Sequence, residues 1–386
     1  MLAAIGNAKC SVALETYIFA DDALGRRFLD ALVAARHRGA RVRVLVDALG
    51  SITLPTAFWI PLIHAGGEFR WFNAFHARER YGCRNHRKLL VVDGESAFIG
   101  GFNIGQEYHG DGVSEGWRDL GLEVRGPVVA ALAATFDQLY ASADNRPPAF
   151  ASLRKDPEAE VCGDGWTLLL TGPGRGHRAL RRALIRDLSR ARQVQILCAY
   201  FVPTWRLRRA LMQAARRGAD VHLVLAGKSD VALSQLASQS LYGKLMRAGV
   251  RIDEYQPQIL HAKLFVIDDV VYAGSANLDA RSLKLNYELA LRVADPAVAA
   301  GGRLLFQNDL AVSRRVDPAE WRKRRWWRRL LEKAAYFIVA RVDPYVTHLG
   351  WRNRAARAVK AVGAVRALEK IPRERRAGAN PRSPGG

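Results

Sequence analysis

His86-Arg87-Lys88-Leu89-Leu90-Val91-Val92-Asp93 occurs in this chain twice, returning as His261-Ala262-Lys263-Leu264-Phe265-Val266-Ile267-Asp268. Each copy has the form H-x-K-x4-D. Each is followed by a glycine-and-asparagine turn, Gly100-Gly101-Phe102-Asn103 in the first case and Gly274-Ser275-Ala276-Asn277 in the second. The apolar, β-branched run after each lysine predicts a buried strand. Strand side chains alternate between faces, so His86 and Lys88 share one face, as do His261 and Lys263. A histidine and a lysine make a poor core face, and their pairing points to chemistry.

The repeat extends well beyond the motif. Residues 195–201 match 12–18, 211–224 match 32–45, and 247–249 match 64–66; Tyr287-Glu288 through Asp295-Pro296 matches Arg118-Asp119 through Gly126-Pro127. In the first copy the pattern predicts a strand over 12–19, a helix over 24–38 closed by Gly39, and a strand over 42–46. A segment over 51–66 with a helical tail, a strand over 69–72 and a basic, aromatic loop over 73–85 then lead to the motif. A strand over 117–124 and a helix over 128–140 follow it. Strands alternating with helices give an α/β fold, read as two pseudo-symmetric α-β-α sandwich halves with a basic helical C-terminal tail. The halves are assigned to 1–145 and 166–312, the linker to the Pro-, Asp- and Ala-rich 146–165, and the tail to 313–386. One motif per half implies a single site shared at their junction.

Composition sets the outer bounds. A chain of 386 residues that is 49% apolar can bury two cores. Its 59 Lys and Arg against 37 Asp and Glu leave a formal charge of +22, which calls for an anionic partner. Cys10, Cys83, Cys162 and Cys198 show no C-x-x-C spacing, so neither a zinc site nor a disulfide framework is expected. They read as small buried groups in a reducing compartment. No apolar run of about eighteen residues is present, so a membrane span is not expected. Residues 1–8 lack the basic-then-apolar pattern of a signal peptide. They read as the last turns of a helix, so the natural start is expected to lie upstream.

The tail has its own character. From Arg314 onward it holds twenty Lys or Arg against six Asp or Glu, more than half of the net charge. Trp321-Arg322-Lys323-Arg324-Arg325-Trp326-Trp327-Arg328-Arg329 runs into apolar Leu330-Leu331 and Ala334 to Ala340. Tryptophan interleaved with arginine suits the headgroup boundary of an anionic membrane. There each basic residue contributes roughly 1 kcal/mol. A second basic helix is expected over 351–370 and a disordered end over 373–386. A solvated helical extension and a nucleic-acid-binding tail are the other readings of this composition.

The motif residues suit phosphoryl chemistry. One neutral imidazole can attack phosphorus and form a phosphohistidine, and a protonated imidazole opposite it can protonate the leaving alkoxide. His86 and His261 are the candidates, in either order. Lys88 and Lys263 would hold the non-bridging oxygens, with Asn103 and Asn277 donating further hydrogen bonds. Asp119 and Glu288, at matching places after the motifs, are the candidates for fixing the imidazole tautomers. Asp93 and Asp268 lie at an odd offset from the lysines and are expected to serve the fold. Glu15, whose counterpart is Cys198, is either a site carboxylate of one half or a polar strand end. No metal or other cofactor is expected.

These residues resemble the phospholipase D superfamily, whose mark is the duplicated H-x-K-x4-D motif. Within it the chain is similar to bacterial cardiolipin synthases with a single soluble body. The likeness includes Glu15-Thr16-Tyr17-Ile18-Phe19, Ala199-Tyr200-Phe201-Val202-Pro203 and Gly274-Ser275-Ala276-Asn277-Leu278-Asp279. It extends less specifically to the Trp326-Trp327 tail. The chain departs from that family at its start, which lacks the usual first strand and most of the first helix. The resemblance implies transfer of a phosphatidyl group between two phosphatidylglycerols, yielding cardiolipin and glycerol, with His86 as nucleophile and His261 as acid. It also implies a bacterial protein held peripherally at the cytoplasmic face of the cell membrane. A phospholipase D-type hydrolase and another phosphatidyltransferase, such as phosphatidylserine synthase, share the motif and stay open. A metal-independent nuclease is a more distant alternative, and nucleic acid is not the expected partner. Oligomeric state is not legible.

Overall fold

The computed structural model describes residues 1–74, 84–143, 160–172, 178–283 and 285–342. The first half runs α1 (Leu2–Asn7), β1 (Ser11–Thr16), α2 (Ala23–His37), β2 (Arg41–Asp47), α3 (Ile60–His64) and β3 (Glu68–Phe72). It continues with β4 (Leu89–Val92), β5 (Ser96–Gly100), β6 (Gly121–Arg125) and α4 (Pro127–Ser142). The second half runs β7 (Glu160–Gly163), β8 (Trp166–Thr171), α5 (Ala179–Leu188), β9 (Gln193–Cys198), α6 (Trp205–Arg216), β10 (Asp220–Ala226) and α7 (Ala232–Met246). After these come β11 (Arg251–Tyr255), β12 (Lys263–Ile267), β13 (Val270–Gly274), β14 (Glu288–Ala294), α8 (Pro296–Ala311) and β15 (Ser313–Arg315). Two further helices follow, α9 (Pro318–Arg322) and α10 (Trp326–Phe337), then a π-helical turn over Ile338–Val342.

Among the described residues the strands form a six-stranded sheet, β3-β2-β1-β4-β5-β6, and a nine-stranded sheet, β15-β11-β10-β9-β12-β13-β14-β8-β7. The central six strands of the second repeat the order of the first. In each, three parallel strands meet an antiparallel motif strand, β4 on β1 and β12 on β9. The motif strands are buried on both sides, as their unbroken apolar runs require. Leu90 and Val92 face the core under α1, α2 and α3, whereas Leu89 and Val91 face α4. The α4 core also takes in Leu168, Leu170, Leu289 and Leu291 of the second sheet, so one helix serves both halves. In the second sheet Phe265 and Ile267 face the core with α5, α6 and α7, and Leu264 and Val266 face α8.

Local chemistry explains the element ends. Asp22 caps α2 by accepting from the Gly25 amide at 2.8 Å, and Gly39 takes the left-handed φ of +98° that follows the helix. Asp93 and Asp268 hold left-handed turns at φ 54° and 48°. The Asp93 carboxylate accepts from the amides of Lys9, Cys10 and Ser11 at 2.7–2.9 Å, and Asp268 accepts from those of Arg192 and Gln193. Each motif aspartate thus ties the end of its strand to the start of the neighbouring one.

Three boundaries differ from expectation. The strand expected over 117–124 begins only at Gly121, because Trp117 to Leu120 are drawn across to the other half by Arg118, whose amide donates to the Ile259 carbonyl at 2.9 Å. Glu160–Gly163, read as linker, pairs with β8 as the edge strand of the second sheet; the rest of that linker, 146–159, lies outside the described residues. Ser313–Arg315, read as the start of the tail, forms β15 on β11. The basic loop over 75–83 and everything from 343 onward, including the helix expected over 351–370, also lie outside the described residues.

Glu15 proves to belong to the core. It is fully buried on β1, and its Oε1 lies 3.0 Å from Nε of Arg87, the variable residue of the first motif. Arg87 also donates to Thr135 Oγ1 of α4 at 2.7 Å. In the second half both partners change together, to Cys198 and Ala262, which explains the asymmetry seen in the sequence. Removing one member strands the other charge in low dielectric. We expect Glu15→Ala to lower unfolding stability by about 3–5 kcal/mol, and the double change Glu15→Ala/Arg87→Ala to recover much of that loss. Additive effects in denaturant titrations would contradict the pairing.

Candidate active site

The motif histidines stand just ahead of their strands, and each is held by the opposite half. The His86 amide donates to the Tyr287 carbonyl at 2.9 Å, and the His261 amide to the Arg118 carbonyl at 2.7 Å. The residue after each of these anchors is an acid. His86 Nδ1 consequently lies 3.0 Å from Glu288 Oε2, and His261 Nδ1 lies 2.6 Å from Asp119 Oδ2. The pairs are crossed: each half's carboxylate serves the other half's histidine. With Nδ1 engaged, Nε2 is the nitrogen left to react. Ser275 donates to the same Glu288 oxygen at 2.6 Å. In the first half this position is Gly101, where a Cβ would fall 2.2 Å from Asp119 Oδ1. Arg118 locks its segment further by pairing Nε and Nη2 with Asp309 of α8 at 2.7 and 3.0 Å.

Both lysines are buried beside their histidines. Lys88 Nζ donates to the His86 carbonyl at 2.7 Å, and Lys263 donates to the His261 carbonyl with its Nζ 3.0 Å from His261 Nδ1 and 3.3 Å from Nε2. Asn103 accepts from the Ile18 amide at 3.1 Å and donates to Tyr108 Oη at 2.7 Å. His86, Asn103, His261 and Asn277 line one cavity of about 280 Å³. Lys88, Lys263, Asp119 and Glu288 are packed behind the histidines and do not line it, and neither do Asp93, Asp268 and Glu15. A second cavity of about 360 Å³, beside Met1, Asp93 and Glu123, lies away from both histidines. Its exposed carboxylates and single arginine present no comparable chemistry.

Sequence reading missed the aromatic wall. Tyr17 stands 5.1 Å from the His86 ring, and Tyr108, Trp117 and Tyr200 stand 5.4, 5.6 and 6.3 Å from His261. A signal was present for two of them, since Tyr17 and Tyr200 occupy matching positions of the repeat. Ser275 was visible in its turn, but nothing in the spacing tied it to Glu288.

The electrostatics follow from burial. Loss of hydration drives the His86 imidazole down to about 4 against the pull of Glu288, so it is neutral and nucleophilic near pH 7. It also brings Lys88 down to about 7, again against Glu288. Burial, and then Lys263, lower His261 below its ordinary value. Although burial pushes the other way, His86 holds Glu288, and His261 holds Asp119, below the usual carboxylate range. Burial thus disfavours protonation of His86, Lys88 and His261, and a neighbouring anion would favour it. Among the described residues no group of three or more His, Cys, Asp or Glu is placed to hold a metal ion.

Comparison with known proteins agrees with this geometry. The family model described as cardiolipin synthase, PLD-like domain, matches residues 1–140 and 184–310. The major cardiolipin synthase of Bacillus subtilis is 34% identical over 345 residues, covering 88% of this chain and 72% of its own. Cardiolipin synthase A of Pseudomonas aeruginosa is 34% identical over 346 residues, covering 88% and 70%. The chain belongs to the cardiolipin synthase family of phospholipase D-like proteins. Family membership accords with the fold. The crystal structure of phosphatidylserine synthase from Haemophilus influenzae superposes with a TM-score of 0.69 over 89% of this chain and 91% of that one, at 15% identity.

The depressed lysine and histidine give a signed test. A bound phosphate group favours their protonated forms, so its binding takes up protons and weakens as pH rises through about 7, where Lys88 loses its charge. Calorimetry with dimethyl phosphate, a phosphodiester that stays a monoanion throughout this range, in buffers of unequal ionisation enthalpy should read net proton uptake near pH 7.5. Proton release, or an affinity flat from about pH 6 to 8.5, would contradict the assignment.

Proposed function

We propose that the protein is a phosphatidyltransferase that makes cardiolipin from two phosphatidylglycerols, through a phosphohistidine formed at His86. The observation that carries this reading is the crossed pairing, which brings two histidines, each fixed by a carboxylate of the other half, to one cavity. His86 Nε2 attacks phosphorus, and the bond from phosphorus to the glycerol oxygen breaks. The proton from His261 Nε2 goes to that oxygen, and glycerol leaves. The 3′-hydroxyl of a second phosphatidylglycerol then gives its proton to His261 while its oxygen displaces His86 from phosphorus. Two phosphatidylglycerols become one cardiolipin and one glycerol.

In this scheme His261 must be protonated, which burial alone opposes. The phosphodiester supplies the missing charge, and Asp119 stabilises the imidazolium. Lys88 and Lys263 offset the charge on the non-bridging oxygens, with Asn103 and Asn277 as polar support. Glu288 plays the part at His86 that Asp119 plays at His261. Asp93 and Asp268 serve the strand ends.

The same reading makes the protein peripheral to an anionic membrane, at its cytoplasmic face. Among the described residues no helix is long and apolar enough to cross a membrane. Helix α10 offers a docking face: Trp326, Leu330 and Phe337 are exposed, on the same helix as Arg328 and Arg329. Its other side is spoken for, since Ala335, together with Val339 and Ala340 of the π-helical turn that follows, lies against Val202 and α7. Val339 also reaches the cavity that holds the histidines, so the docking helix leads to the mouth of the site. Arg324 pins the helix through Glu332 at 2.8 Å.

Vesicles of phosphatidylglycerol should yield cardiolipin and glycerol in equal amounts. His86→Ala and His261→Ala should each lower the rate by roughly a thousandfold or more. Phosphatidic acid as the main product would mark a hydrolase instead, and full activity in either variant would end the two-histidine scheme. A second measurement concerns α10. Trp326→Ser, Leu330→Ser and Phe337→Ser should each weaken sedimentation with phosphatidylglycerol vesicles by roughly tenfold. Vesicle affinity unmoved by all three would exclude this face.

A further inference from the structure

Each end of the cavity presents a histidine and an asparagine, with a lysine buried beside the histidine, but the ends differ in what surrounds the repeated tyrosine. Tyr17, beside His86, has the charges of Asp47, Arg84, Arg281 and Glu288 around its hydroxyl. Tyr200, its counterpart beside His261, donates to Asp230 Oδ1 at 2.5 Å. At the offset that matches 211–224 to 32–45, Asp230 aligns with Ser51. That serine is buried and bound to backbone, accepting from the Phe19 amide at 2.8 Å and donating to the Tyr17 carbonyl at 3.1 Å. The second half instead places an exposed carboxylate on the cavity wall, with Val231 and Ser234 at the head of α7.

A carboxylate there works against the phosphate. Its charge opposes an anionic substrate and reaches both Lys263 and the Tyr108 hydroxyl. It must therefore serve another part of the ligand. Resting on the function proposed above, the group that enters and leaves beside His261 is glycerol. Beyond the reacting oxygen, that headgroup offers hydroxyl donors. An ionised carboxylate only accepts, and it has room for several donors at once. Tyr200 occupies one lone pair of Oδ1 and fixes the carboxylate's direction, leaving Oδ2 for the substrate.

We propose that Asp230, oriented by Tyr200, accepts a hydrogen bond from the secondary hydroxyl of the glycerol headgroup and so selects glycerol over alcohols that lack it. Asp230 is a specificity residue in this account and Tyr200 a positioning one. The site's preference is set at the His261 end, where the alcohols exchange.

The test uses the full chain and two vesicle compositions. One is phosphatidylglycerol; the other is the phosphatidyl ester of 1,3-propanediol, which keeps the terminal hydroxyl and lacks the secondary one. Wild-type protein should favour phosphatidylglycerol in kcat/KM by roughly tenfold to a hundredfold, the usual effect of one hydrogen bond to a charged group. In Asp230→Ala that ratio should fall toward one, and in Asp230→Asn, which keeps an acceptor oxygen, it should lie between. A ratio preserved in Asp230→Ala overturns the inference. So does an equal drop on both lipids, which marks a merely structural role. Thermal melting of both variants separates misfolding from lost selection. Wild-type protein that makes no cardiolipin from phosphatidylglycerol would instead fail the functional reading itself.

Discussion

The rest of the structure depends on the exchange of carboxylates between the halves. Two imidazoles, two ammonium groups and two carboxylates are packed together, all but His86 with almost no exposed side chain, and none of them would tolerate that desolvation alone. Crossing is what makes the arrangement whole, because neither half holds a complete histidine–carboxylate pair. The backbone enforces it: Tyr287 and Arg118 each take the amide of the opposite histidine, and the next residue is the acid. Association of the halves and assembly of the site are therefore one event.

This crossing also explains why the site sits where it does. The inner helix α4 buries apolar residues from both sheets, so the halves share a core as well as a cavity. On the far side, Arg118 reaches Asp309 of α8, and Tyr255 donates to the Gly112 carbonyl at 2.6 Å. The loop between β5 and β6 thus buttresses the opposite half while it supplies Tyr108, Trp117 and Asp119. The two copies can then differ from each other without disturbing the central chemistry. The change of Glu15 and Arg87 to Cys198 and Ala262 shows this inside the core, and the contrast of Ser51 with Asp230 shows it at the cavity wall.

The basic tail joins the same logic at its described end. The apolar residues after the arginine cluster divide between two tasks that composition alone cannot separate. Ala335 and Val339 seat the helix on α7, whereas Trp326, Leu330 and Phe337 face outward. The helix runs into Val339, which lines the cavity, so its outward-facing side chains and the site belong to one continuous segment.

Much of this was legible in the sequence. The duplicated motif, the succession of strands and helices along each copy and the α/β class follow from periodicity, which burial on one or two faces imposes directly on the residue pattern. The eight polar candidates could be named because a repeat marks equivalent positions twice. What sequence could not carry was partnership across the halves. Asp119 and Glu288 were visible as acids, but which histidine each serves depends on contacts between residues more than a hundred positions apart. The early end of the strand expected over 117–124, the withdrawal of Glu15 into the core and the placing of β7 and β15 at sheet edges have the same origin. So does the aromatic wall, since an aromatic residue reads alike whether it fills a core or faces a cavity. The sequence by itself determined the two half-sites, because local pattern encodes each strand and its ends. Only the tertiary structure decided that they form one crossed site, because long-range hydrogen bonds and shared burial leave no periodic trace in the chain.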